Sequence, residues 1–227
     1  SHINELSNNL NFEHFIIKTE YNQNQLINEV IISLMNILND DNKKVHIKII
    51  IKIFTKIIKY LKKESDRQEK EAKENNKKFL EIDAIEIILN SFIKDVSKNI
   101  NKEYKMTIIY YIASLFSNKI NKYFEDLVNL IIDSIKNEEL VDISLSILIA
   151  ILEADSQSTE SYFPKLIPIL IELLNKKFER MESILFQEDP IISKIIDCFS
   201  IMSDKISDYL KIILDEIFYL LNLFECL

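Results

Sequence analysis

Apolar residues recur at spacings of three and four along nearly the whole chain, which is the period of one face of a helix. Ile120, Tyr123, Phe124, Leu127, Leu130, Ile131 and Ile135 form one such stripe and predict a helix over 120–136. The same spacing predicts helices over 25–39, 47–61, 85–96, 106–116, 140–152, 166–174, 191–202 and 210–223. Nowhere do apolar and polar residues alternate long enough for a strand, so the expected class is all-α.

The predicted breaks are short and polar: Asn39-Asp40-Asp41-Asn42, then 97–101, then Asp155-Ser156-Gln157-Ser158-Thr159. Asp189-Pro190 is the strongest start signal, because aspartate caps free amides and proline suits the first helical position. Pro164 fits a first turn, whereas Pro168 lies deeper and is expected to kink its helix. Residues 62–78 are almost wholly charged or amidic, with Ala72 their one apolar side chain. They predict a solvent-exposed extension of the preceding helix or a mobile connection.

Aromatic-led helices are expected near Phe79, Tyr123, Tyr162 and Tyr209, in steps of 44, 39 and 47 residues. Tyr123-Phe124-Glu125-Asp126-Leu127 and Tyr162-Phe163-Pro164-Lys165-Leu166 share a visible pattern. Two-helix units with that period are the signature of HEAT or armadillo-like solenoids. Each pair buries its apolar face only by stacking on the next. The expected architecture is a HEAT/armadillo-like α-solenoid, a right-handed superhelix of antiparallel helix pairs. One solenoid of about four to five pairs would cover 1–227. The start at Ser1-His2 and the apolar run over 217–224 read as the edges of a piece of a longer array.

Composition narrows the function classes. The 227 residues include no glycine, where about 16 are ordinary. Phosphate-binding loops, dinucleotide fingerprints and strained nucleophile turns depend on backbone positions that glycine tolerates best. With 28 basic and 36 acidic residues the formal charge is −8, which disfavours nucleic acid and favours a basic partner. No apolar span is long enough for a membrane: the stretch over 45–61 is broken by Lys48, Lys52, Lys56 and Lys59. With Lys44, these lysines form a stripe read as the solvated face of a helix. Lysine far outnumbers arginine, which occurs only at Arg67 and Arg180. AT-rich coding produces that bias, so surface lysines carry little functional message.

Candidate chemistry is sparse. His2, His14 and His46 are scattered, and Cys198 and Cys226 form no close pair. A zinc site needs several such ligands converging, so no metal, no cofactor and no catalysis are expected. The acidic residues Glu138, Glu139, Asp142, Glu188 and Asp189 fall at helix starts, where negative charge complements the helix dipole. Their functional reading is a protein-binding surface for a basic peptide.

From about Phe79 onward the chain resembles the importin-beta (karyopherin-beta) nuclear transport receptors, and most of all their importin-five (karyopherin-beta-three) branch. The resemblance rests on an order of elements. Residues 121–127 come first, then the acidic-led helix from Glu138, then Tyr162 to Leu170 with the basic end Asn175-Lys176-Lys177-Phe178. The helix led by Asp189-Pro190 and the one led by Asp208-Tyr209-Leu210 follow, and 43–63 fit the family's preceding inner helix. One departure stands out: that branch usually carries a long acidic insertion before the helix that here starts at Asp189, whereas 179–188 are short and partly apolar. The resemblance implies a non-enzymatic carrier shuttling between cytoplasm and nucleus. It would bind basic protein cargo and the Ran GTPase on the inner surface and nuclear pore proteins on the outer, without nucleic acid or membrane insertion. The competing expectations are a HEAT-repeat scaffold for a multiprotein complex, such as a phosphatase scaffold or chromosome-organising subunit, and a compact all-helical enzyme.

Overall fold

The computed structural model describes residues 23–40, 47–75, 83–95, 101–179, 189–203, 211 and 213–215. Among them the secondary structure is helical, with no strand. The histidines, Cys226, Phe79, Tyr209 and Glu188 lie outside the described residues, as do 76–78 and most of the helix expected over 210–223. The chain divides into two compact units, 1–116 and 117–227.

The first unit contains α1 (Gln23–Leu38), α2 (Ile47–Asn75), α3 (Asp83–Asp95) and α4 (Lys102–Leu115). Helix α1 packs on α2 and α3, and α4 packs on α2 and α3. Why α2 is a helix is clear from its isoleucine-rich start. β-Branched residues favour strands in isolation, but Ile47, Ile50, Phe54, Ile57, Ile58 and Leu61 are buried at helical spacing. Lys48, Lys52, Lys56 and Lys59 are exposed opposite them. Each fully buried aliphatic side chain contributes roughly 1.5–3 kcal/mol, which outweighs a propensity deficit of a few tenths per residue. Phe54 meets Phe92 of α3 edge to face, with centroids 5.7 Å apart.

Beyond Leu61, α2 stays helical to Asn75 without an apolar face. Ion pairs one turn apart support this stretch. Lys62 meets Asp66 at 2.6 Å and Lys73 meets Glu69 at 2.7 Å, while Arg67 bridges Glu64 and Glu71. Over 62–75 the chain is thus a continuation of α2.

The second unit contains α5 (Phe124–Ile135), α6 (Val141–Ala154), α7 (Phe163–Glu179) and α8 (Pro190–Met202). Helix α6 packs on α5 and α8, and α8 also packs on α7. The helix expected over 120–136 is not continuous. A four-residue helical turn, Ser117–Ile120, leads into a 3-10 turn, Asn121–Tyr123, and α5 begins only at Phe124. With three residues per turn, Ile120 and Tyr123 lie on the same side, and both are buried together with Phe124. Helix α7 runs unbroken through Pro168, while Pro164 occupies its second position, where no intrahelical amide bond is lost.

The segment around Phe124 recurs 39 residues later. Helix α4 ends at Leu115 and α6 at Ala154, and both span 14 residues. Each is followed by one non-helical residue, a four-residue helical turn and a three-residue 3-10 turn ending in tyrosine. The next helix then starts with phenylalanine, at Phe124 and Phe163. The recurrence extends to side chains. Thr107 donates to the Glu103 carbonyl at 2.9 Å and Ser146 to the Asp142 carbonyl at 3.0 Å, at matching positions of α4 and α6. Lys105 and Ser144 also match and are both buried.

Candidate partner-binding cleft

The second unit holds a cleft of about 550 Å³ where the end of α5, the start of α6, the second half of α7 and the start of α8 meet. Its wall is aliphatic: Ile132 and Ile135 from α5, Val141 from α6, Ile169 and Leu173 from α7, and Ile191 from α8. Its charged lining comprises Lys136, Glu138, Glu172, Lys176 and Lys177. These positions follow from chain pattern. Lys176 and Lys177 occupy the last turns of α7, the negative end of that helix, where cations are favoured. Glu138 sits in the 3-10 turn Glu138–Leu140, which introduces α6.

The lysines of the cleft have carboxylate neighbours. Lys136 meets Asp133 at 3.3 Å, Lys176 meets Glu172 at 2.5 Å and Lys177 meets Asp189 at 3.2 Å. The hydrogen bond from Lys176, followed by its charge, holds the Glu172 carboxyl below the usual glutamate value. Asp189 is less exposed and has competing influences. Burial pulls its pKa up, but the amides of Ile191 and Ile192 and the Lys177 ammonium outweigh that pull and leave it lowered. Its Oδ1 accepts from the Ile191 amide at 2.7 Å, which makes it the N-cap of α8 with Pro190 in the first turn.

Of the five acidic positions singled out from sequence, Glu138, Glu139, Asp142 and Asp189 are among the described residues, and Glu138, which is exposed, is in the lining of the cleft. Glu139 is exposed, and its amide donates to the Asn137 Oδ1 at 3.1 Å. Asp142 accepts from Lys194 of α8 at 2.6 Å, and the same ammonium reaches the Ser146 hydroxyl at 2.8 Å. Asp189 caps α8, and Glu188 lies outside the described residues. Sequence reasoning did not assign the cleft lysines or the aliphatic wall to a site. The basic end of α7 was the available signal, but nothing in one sequence marks which ends of packed helices converge.

No alternative chemistry stands out among the described residues. Cys198 is buried in α8, and burial first, then the adjacent Asp197 charge, push its thiol up to about 12. That is the profile of a packed, unreactive thiol. Among the described residues no group of three or more histidines, cysteines or carboxylates could hold a metal ion. No described helix is long and apolar enough to cross a membrane. The chain matches no protein-family model, no curated protein and no solved structure.

Proposed function

We propose that the chain is a stretch of HEAT-type α-solenoid from a nuclear transport receptor of the importin-beta kind, binding basic protein cargo and Ran-GTP. The observation that carries the reading is the recurrence, 39 residues apart, of the same helix end, paired short turns and phenylalanine-led helix. That period falls at the edge of the range for HEAT and armadillo units. Packing between consecutive and alternate helices within each unit also supports it, because stacked helix pairs bury their cores against nearest neighbours. The aliphatic cleft with its charged rim is the binding surface assigned to the second unit. In this reading the protein works in cytoplasm and nucleus, meets nuclear pore proteins on its outer face and performs no catalysis.

The test is nucleotide-selective binding. Calorimetry with Ran loaded with a non-hydrolysable GTP analogue or with GDP should give binding to the former alone, for this chain within its full-length gene product. Equal binding, or none, removes the transport reading.

One observation favours the second reading, a HEAT-repeat scaffold in a multiprotein complex. Asp142 and Asp189, two of the acidic positions assigned to cargo, tie α8 to α6 and α7 through Lys194 and Lys177. A scaffold built from such ties would bind a constant partner and ignore the nucleotide state of Ran.

A further inference from the structure

We draw no further inference here: the strongest candidate, the aliphatic cleft between the end of α5, the second half of α7 and the start of α8, belongs to the site already described, and because Lys136, Lys176 and Lys177 already meet carboxylates of their own unit, nothing in the structure shows what else covers it.

Discussion

The side-chain amide of Asn101 donates to the backbone carbonyl of Leu38 at 2.7 Å, joining the start of α4 to the last residue of α1 across 63 positions of sequence. Asn101 is also the one described residue with positive φ, at φ 54 and ψ 34. In a chain without glycine, asparagine takes the left-handed position because its short polar side chain tolerates it best. Two effects therefore meet at one residue. Asn101→Gly should lose only the hydrogen bond, about 1 kcal/mol. Asn101→Ala should lose the bond and also strain the backbone, for about 2 kcal/mol in total. Urea unfolding of both variants checks the order, and an alanine variant as stable as the glycine one would remove the strain argument.

Asp189 predicts a specific acid sensitivity. Its folded pKa is lowered despite the upward pull of burial, because the Ile191 and Ile192 amides and Lys177 favour the charged form. A lowered carboxyl contributes stability that is present above its unfolded value, about 3.9, and is lost as pH falls through the folded value. Asp189→Asn keeps a capping side chain and removes the charge. The stability gap between wild type and this variant should therefore narrow as pH drops from 6 to 3. A gap independent of pH would show that the charge contributes nothing.

The end of α2 depends on charge pairing without a core. Arg67 bridges Glu64 and Glu71, and each such exposed pair is worth about 0.3–0.5 kcal/mol and is screened by salt. Arg67→Ala should speed amide exchange over 62–74 by a few fold and leave 47–61 unchanged. High salt should have the same effect on the wild type. Equal protection in variant and wild type would mean that another contact holds this segment.

Lys194 predicts coupling between α6 and α8. Its ammonium has three acceptors on α6: the Asp142 carboxylate, the Asp142 carbonyl at 3.4 Å and the Ser146 hydroxyl. In a double-mutant cycle, Lys194→Met and Asp142→Asn should show about 0.2–1 kcal/mol of coupling. The lysine variant should cost more than the aspartate variant, since the latter removes a charge but leaves oxygen acceptors for the ammonium. Purely additive effects would contradict a structural role for Asp142.

The fold was more legible than the site, for a physical reason. Helical periodicity is a local property, so the stripe in α2 and the Asp189-Pro190 start could be read from neighbouring residues alone. The 39-residue step between Tyr123 and Tyr162 was visible as well, because both segments place a Tyr-Phe pair at the start of a helix. The break at 121–123 was hidden, since Ile120 and Tyr123 suit either a 3-10 turn or an α-helix on one face. The onset of α4 at Lys102 was hidden too. It is set by Asn101, whose partner Leu38 is remote in sequence. The cleft was least legible, because it exists only where the ends of four helices meet, and Asp142 read as a surface charge until Lys194 lay beside it.

The central proposal is that the protein binds both basic cargo and Ran-GTP as a transport receptor, and a competition experiment tests it most directly. The full-length gene product is titrated with a basic cargo protein by calorimetry, first alone and then with saturating Ran bound to a non-hydrolysable GTP analogue. Coupling between binding sites is typically 1–3 kcal/mol, so cargo affinity should fall roughly 5- to 150-fold when Ran-GTP is present and stay unchanged with Ran-GDP. Cargo affinity that is indifferent to Ran in either nucleotide state would contradict the transport account and leave a helical scaffold in its place.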